Sequence, residues 1–184
     1  MSRQSFENCV EELLMAIDCC LERSQLLAGL VLLYAGIDIM AWLNLTQSRD
    51  DLSQKGADFI NWVETYLLPG TELPCKAIDL WGARCAILHT GTAESRGSRW
   101  GKAKEIYYSF GPADPNGIQN WIDHFGESDA KVAVHADSLV KAFREATQRF
   151  QQNLGNNPDK ANIVYQRAAK FFVKMTDMPD LPSR

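Results

Sequence analysis

The chain has 184 residues, of which 46% are apolar and 23% are charged, and it contains only 12 glycines and 7 prolines. This composition excludes a disordered, collagen-like or multidomain protein and predicts one globular domain over 1–184 with a full hydrophobic core. Nineteen Lys and Arg stand against 23 Asp and Glu, a net charge of −4, so the chain is not a polycation and any anion site must be local.

The N-terminal quarter predicts two helices. Over 6–21 the apolar residues recur at steps of three and four, which is typical of an amphipathic helix. We expect Ser24 to cap a second helix that runs to about Leu45 and is apolar on nearly every side. Asp38 lies well inside this stretch, and an acidic group would be costly in lipid, so we interpret the helix as the centre of a bundle rather than a membrane span. No secretory signal pattern is expected before it.

The middle of the chain predicts two more helices. A polar turn over 46–53 precedes the third helix, which ends at Pro69 and Gly70. The residues expected to face inward from it are Phe59, Ile60, Val63, Tyr66 and Leu67. Pro74 stands near the start of a fourth helix that runs to His89. The buried stripe expected on this helix consists of Ala77, Trp81, Cys85 and Leu88.

The C-terminal half predicts a loop, a small β element and two further helices. Apolar periodicity disappears over 90–101, where Gly, Ser and Arg predominate, and this is typical of a surface loop. Residues 105–110 and 131–135 have the composition of strands, and the turn residues between them predict a two-stranded insertion formed as a hairpin. Helices are expected over 137–154 and 159–175. The predicted fold class is therefore an all-α, antiparallel helical bundle with a small two-stranded β insertion.

The cysteines indicate free thiols. They are Cys9, Cys19, Cys20, Cys75 and Cys85. Their number is odd and no C-x-x-C spacing occurs, so the common sequence patterns of zinc and redox sites are missing. Unpaired thiols are typical of a reducing compartment. We therefore expect a cytoplasmic protein with no metal or other cofactor and no association with a membrane.

Three histidines are the candidates for acid–base chemistry. His124 and His135 have no nucleophilic Ser or Cys at a motif spacing, and we interpret both as structural. A metal site formed by His124, His135 and Asp137 is a weaker alternative, because an H-x-D spacing alone is not specific. His89 differs from both, since an arginine precedes it on the same predicted helix.

Arg84 is the anomaly of the fourth helix. It falls on the apolar side, where a guanidinium must be paired, be hydrogen-bonded or face a cleft. Asp38, the only charge in the second helix, is the expected partner. Arg84 and His89 are separated by about 140° around an ideal helix, so a straight helix is not expected to aim both at one phosphate. Either the helix bends near Thr90 and Gly91, or two chains contribute to one cleft across a two-fold axis.

Positive charge is concentrated after His89. Positions 84–104 hold five cations and Glu94 as the one acidic residue. The four cations that follow the helix are Arg96, Arg99, Lys102 and Lys104. We expect them to bind phosphates, with affinity that falls as salt rises; a solvated loop is the alternative. Trp100 or Tyr107 would be able to stack on a base, with ordinary packing as the alternative.

The segment that carries these residues resembles a known family. An R-x4-H pattern at Arg84 and His89, the surrounding LWGARCAILHT, the preceding FINWVETYLLP and the basic loop are together similar to compact bacterial members of the HEPN superfamily (higher eukaryotes and prokaryotes nucleotide-binding domain). Such members often add an acidic or polar group from an earlier helix, for which Asp38 is the candidate. They commonly carry a polar residue after the arginine, where this chain has Cys85.

The resemblance implies a metal-independent endoribonuclease that acts as a dimer, often as a toxin with a cognate antitoxin or as a phage-defence effector; the superfamily also has inactive members. His89 would serve as general base or acid at the ribose 2′-hydroxyl or the leaving 5′-oxygen, and Arg84 would stabilise the charge on the phosphate. The need for a 2′-hydroxyl favours RNA, and in-line geometry favours a single strand. The alternative is a non-catalytic helical module for dimerisation or for binding nucleic acid or protein.

Overall fold

The structure, a computed structural model, describes residues 2–45 and 56–169, and these residues are mostly helical. In chain order the elements are α1 (Ser2–Glu22), α2 (Leu26–Leu43), α3 (Gly56–Trp62), a π-helical turn (Val63–Leu67), α4 (Ala77–Thr90), α5 (Arg96–Arg99), β1 (Glu105–Ser109), α6 (Pro115–His124), β2 (Lys131–His135), α7 (Ala136–Gly155) and α8 (Pro158–Ala168). The predicted helical character is confirmed. The polar turn expected over 46–53 and the end of the last predicted helix lie outside the described residues.

The turn between α1 and α2 belongs to the end of α1. Ser24 has a φ of 56°, which is the left-handed conformation that follows many helices. Its amide donates to Leu21 O at 2.9 Å, and the amide of Gln25 donates to Cys20 O at 2.7 Å, the two bonds of a Schellman motif. Gln25 precedes α2 and makes no side-chain cap. The prediction that Ser24 caps α2 is therefore wrong, because its backbone is used to terminate the preceding helix.

α2 is the central helix and packs against α1, α3, α4, α7 and α8. At Gly36, an added Cβ would lie 2.6 Å from Leu13 on α1 and 2.8 Å from Phe143 on α7, so only glycine allows the three helices to meet this closely. By length and composition alone α2 could cross a membrane, with a mean hydropathy of 2.0 over Leu26–Leu43, and half of that window is buried within the structure.

The core beside α3 is built on Trp62. This side chain is fully buried, and its ring centroid lies 5.7 Å from Tyr66, 6.2 Å from Phe143 and 6.4 Å from Phe150. Four of the five expected inward residues are buried, whereas Ile60 is only partly buried. The sequence pattern missed Trp62, although it stands three residues after Phe59 and four before Tyr66, which is helical spacing.

The β insertion is a β-α-β unit. β1 and β2 pair in parallel, from Glu105 opposite Lys131 to Ser109 opposite His135. Parallel strands need a crossover connection, and α6 supplies it. The residues that suggested a turn begin this helix, because Asp114 accepts a 2.9 Å hydrogen bond from the amide of Asn116, with proline next to the cap. The expected hairpin is therefore wrong, although both strands form where composition placed them.

Polar contacts fix this unit and close one of its edges. Buried Asp79 on α4 accepts the amide of Lys104, just before β1, at 2.7 Å, and the amide of Lys76 at 2.8 Å. On β2, the backbone amide of Ala133 donates to Oε1 of Gln119 on α6 at 3.0 Å. This N–H group is therefore not available to a further strand. The insertion is thus attached to the N-terminal end of α4, the helix that also carries the candidate site.

Candidate active site

α4 carries both motif residues and packs against α2, α3, α5 and β1. Its buried residues are Ala77, Asp79, Leu80, Gly82, Ala83, Ala86 and Ile87. Of the four residues expected in the buried stripe, only Ala77 is buried; Trp81, Cys85 and Leu88 are partly exposed. The buried face is therefore rotated from the predicted one, and the Arg84 side chain, 20% exposed, lies at the boundary between core and solvent.

Asp38 on α2 and Arg84 on α4 form the expected contact. Nε and Nη2 of Arg84 donate to Oδ2 of Asp38 at 2.7 and 2.5 Å. The other carboxylate oxygen, Oδ1, is buried and has no hydrogen-bond partner within the described part of the chain. The two side chains are only 20% and 16% exposed, so this pair lies between a surface ion pair and a fully buried one.

The charges of this pair respond differently to burial. Burial raises the pKa of Asp38, and the hydrogen bond and charge of Arg84 and the charge of His89 only partly oppose it. Burial also lowers the pKa of Arg84, but the hydrogen bond and charge of Asp38 outweigh that effect and leave it above its ordinary value. Arg84 therefore stays protonated, and the cost of burial falls on the carboxylate.

Arg84 also reaches His89 within the same chain. Nη1 of Arg84 lies 3.3 Å from Nε2 of His89. A guanidinium can only donate, so Nε2 is the acceptor and we assign the ring proton to Nδ1. α4 continues without interruption to Thr90 and ends at Gly91, which has a φ of 67°. The two groups meet within one chain because the arginine side chain is long enough to cross the angle of about 140° between their backbone directions.

Two further residues surround the guanidinium. Cζ of Arg84 lies 5.2 Å from the ring centroid of Trp81, a cation–π distance. Cys85 also interacts with Arg84, but burial raises the pKa of this thiol more than Arg84 lowers it, so the thiol is protonated at neutral pH and is not a nucleophile. Neither residue was predicted as part of the site; the three-residue spacing of Trp81 and Arg84 was the available signal.

Arg96 and Lys102 gather at one aromatic ring in the basic segment. Arg96 begins α5, a short helix that the sequence analysis did not predict within 90–101, and Ser95 caps it by accepting the amide of Ser98 at 3.1 Å. Cζ of Arg96 and Nζ of Lys102 lie 4.7 and 5.4 Å from the ring centroid of Trp100. Over 2–45 and 56–169, no carboxylate forms an ion pair with either cation.

Arg99 and Lys104 are held elsewhere. Nε of Arg99 lies 3.9 Å from Oε1 of Glu94, and its side chain is 64% exposed, so this contact leaves the guanidinium accessible. Nζ of Lys104 donates to Ser128 O at 2.5 Å, which directs it toward the β-α-β unit. The structure therefore does not gather the four predicted phosphate-binding cations into one cluster.

Several clefts formed by the described residues lie away from Arg84 and His89. Three of them have volumes of about 710, 440 and 340 Å³, and neither motif residue lines any of the three. His135 lies beside the second cleft and donates from Nε2 to Gly111 O at 3.0 Å. Within the described residues, no group of three potential metal ligands forms. The candidate site lies in the C-terminal half of α4, where Arg84 is partly buried and His89 is exposed.

Comparison with models of known protein families, with curated proteins and with solved structures finds no significant match to this chain.

Proposed function

We propose that this protein is a metal-independent endoribonuclease of the HEPN type that cleaves RNA with Arg84 and His89. The observation that supports the proposal best is the 3.3 Å contact between Nη1 of Arg84 and Nε2 of His89 in one chain. Asp38 holds the other side of the same guanidinium. A fixed cation and an exposed imidazole thus lie within reach of one phosphodiester group.

In this proposal the ribose 2′-oxygen attacks phosphorus as the bond from phosphorus to the 5′-oxygen breaks. As general base, Nε2 of His89 exchanges its 3.3 Å contact with Arg84 for the substrate and takes the 2′-proton, while water protonates the leaving 5′-oxygen. As general acid, the protonated ring gives its proton to the 5′-oxygen, while water takes the 2′-proton. Arg84 has five N–H groups, of which three are directed to Asp38 and His89. Cys85 also contacts the guanidinium, and an N–H group that these three partners leave open stabilises charge on the phosphate. The products are a 2′,3′-cyclic phosphate and a 5′-hydroxyl.

The basic segment supplies RNA binding in this proposal. Arg96 and Lys102 bind backbone phosphates, and Arg99, whose side chain is 64% exposed, adds to the local positive potential. Lys104 contributes less than expected from the sequence, since its ammonium group already bonds to a backbone carbonyl. The substrate class is single-stranded RNA, whose backbone adopts in-line geometry more easily than a duplex.

The biological setting belongs to the same proposal. We infer a cytoplasmic homodimer that acts as a toxin or phage-defence effector, with an antitoxin as the partner expected for a toxin. The free thiols support a reducing compartment, since the structure pairs none of the five cysteines. Dimerisation is not needed for Arg84 and His89 to meet, because their contact is formed within one chain.

RNA cleavage in EDTA tests the proposal. We expect a labelled single-stranded RNA to be cut by the wild-type protein, and His89→Ala and Arg84→Ala each to lower the rate at least about 100-fold, the usual contribution of a general acid–base or charge-stabilising group. His124→Ala is the matched control, because His124 is exposed and packs on Phe125 away from the site. A single 2′-deoxy sugar at the cut position should block cleavage there.

Two outcomes would contradict this function. RNA left intact by every folded protein would favour the alternative, a non-catalytic module in which Arg84 only joins α2 to α4. Cleavage that persists in both variants would show that other residues perform the reaction.

A further inference from the structure

Trp100 is a large aromatic side chain that lies outside the hydrophobic core. It follows α5, and the residue as a whole is 60% exposed. The two nearest cations, Arg96 and Lys102, contact the ring and have no carboxylate partner within the described residues. An exposed tryptophan beside two cations without carboxylate partners is the combination that single-stranded nucleic acids use, because a base stacks on the ring in place of a cation and the displaced cations bind phosphates.

The fold brings Trp100 to the side of α4 that carries His89. Ser95 and Ala103 flank the Trp100 segment, and both pack on Gly82, where an added Cβ would lie 3.2 Å from Ser95 Oγ and 3.1 Å from Ala103 Cβ. Gly82 and His89 are seven residues apart and therefore share one side of the helix, separated by about 10 Å along its axis. A few nucleotides of a single strand can span this distance.

Among the described residues, the other exposed aromatic rings lack this chemistry. Trp121 and Phe125 on α6 are also exposed, at 50% and 60%, but the nearby cation, Lys131, is already paired with Glu127 at 2.6 Å. Tyr107, the second candidate from the sequence, is partly buried, and its ring faces the same Lys131. Trp100 alone among these rings combines exposure with unpaired cations.

We propose that Trp100 stacks on one unpaired base of the RNA, a few nucleotides from the scissile phosphate, while Arg96 and Lys102 bind the flanking phosphates. This inference rests on the proposed ribonuclease function and adds a base subsite to it. Because stacking depends on the area of the base, the subsite favours purines over pyrimidines at that position and does not select one sequence. A paired base cannot enter it, so the subsite restricts the enzyme to single strands.

An abasic scan tests this subsite without cleavage. A fluorescent 12-residue 2′-O-methyl RNA cannot be cut at its sugars, and one abasic residue is moved through the central positions. For the wild-type protein we expect one position at which loss of the base weakens binding on the order of tenfold. Trp100→Ala should weaken binding of the complete strand by a similar factor and should remove the abasic effect. Trp121→Ala, an exposed tryptophan beside acidic residues, should behave as wild type.

The cations have a separate readout. Arg96→Gln with Lys102→Gln should flatten the dependence of log Kd on log salt by about 1.4, from about 0.7 for each phosphate contact on a single strand. An unchanged slope would show that the two cations do not bind the phosphates.

Three outcomes would overturn the subsite itself. They are binding by Trp100→Ala at wild-type strength, an abasic effect that persists in Trp100→Ala, and no binding by the wild-type protein. If the wild-type protein shows the expected abasic effect on binding but cuts no RNA, the proposed nuclease function is rejected and the base subsite is retained.

Discussion

Arg84 combines a permanent charge with a position at the edge of the core. The sequence predicted that this guanidinium needs a partner, because the helix is apolar around it, and it identified Asp38 as the only charge on α2. The structure joins these two groups at 2.5 and 2.7 Å. The same side chain then reaches His89, so one residue connects the hydrophobic core to the surface where chemistry is proposed.

The coupling between Asp38 and Arg84 can be measured with a double-mutant cycle. We expect Asp38→Ala, Arg84→Ala and the double variant to give a coupling of about 1–3 kcal/mol in the free energy of unfolding, between the values for exposed and buried pairs. Urea unfolding followed by circular dichroism provides the measurement. Arg3 and Glu7 form the control pair, since their side chains are 75% and 39% exposed; their coupling should stay below about 0.5 kcal/mol. Equal couplings for the two pairs would contradict the inferred contribution of burial.

At the residue scale, the sequence could predict partners but not distances. A charge on an apolar helix face requires a counter-charge for electrostatic reasons, and few candidates were available. That Arg84 contacts His89 depends on the side-chain torsions of a long residue, which helical geometry does not determine. The involvement of Trp81 likewise required the true orientation of α4, since the prediction had placed this tryptophan in the buried stripe.

At the scale of elements, Asp79 connects α4 to the β-α-β unit. Its carboxylate is 3% exposed and accepts two backbone amides, one from each element. The helix that carries the candidate site and the strand that begins the insertion are thus held by the same side chain. Because the two amides both donate, the arrangement requires a group that can accept at both of its oxygens.

Asp79→Asn keeps the size of the side chain but replaces one acceptor with an NH2 donor that faces an amide. We expect a loss of about 1–3 kcal/mol in the free energy of unfolding, the cost of leaving a buried donor unsatisfied. Hydrogen exchange should become faster at the amide of Lys104 or Lys76, whichever loses its acceptor. Asp129→Asn changes an exposed carboxylate and should leave both stability and exchange unchanged. Wild-type exchange at both amides in Asp79→Asn would disprove the bridging role.

The elements show where local sequence patterns are ambiguous. Helices with strong three- and four-residue periodicity, such as α1 and α7, were predicted nearly to their ends. The Asp-Pro pair at 114–115 fits both a turn and the start of a helix, because an N-cap carboxylate and a fixed proline φ suit both. Only the pairing of β1 with β2, which is a long-range contact, distinguishes the two. The hairpin was therefore predicted in place of a crossover helix.

At the scale of the whole molecule, a buried polar cluster joins α2 to the insertion and to the start of α4. The hydroxyls of Tyr34 and Tyr108 hydrogen-bond at 2.5 Å. Burial raises the pKa of both phenols above 10.0, and burial raises the pKa of the Cys75 thiol to about 12. All three groups are neutral in the folded protein at pH 7, and they lose their protons in an unfolded chain at lower pH than in the fold.

These shifts predict instability in alkali. A folded pKa that lies above the unfolded one gives stability that is complete below the unfolded value and is lost as pH rises toward the folded value. Each group should therefore lower the free energy of unfolding by about 1.4 kcal/mol per pH unit in that window. In the double variant Tyr34→Phe, Tyr108→Phe, the slope above pH 10 should be shallower by about 2.8 kcal/mol per pH unit. Urea unfolding at several pH values measures this, and parallel slopes for both proteins would contradict it.

Gln119 has a consequence for behaviour at high concentration. Its amide oxygen occupies a backbone donor on β2 that would otherwise be open to a strand from a neighbouring molecule. In a two-stranded sheet both strands are edge strands, and the unpaired backbone groups of an edge strand can pair with a strand of another molecule. Gln119 on α6 therefore removes one donor that strand pairing between molecules would need. We expect Gln119→Ala to aggregate at a lower protein concentration than the wild-type protein, as measured by light scattering.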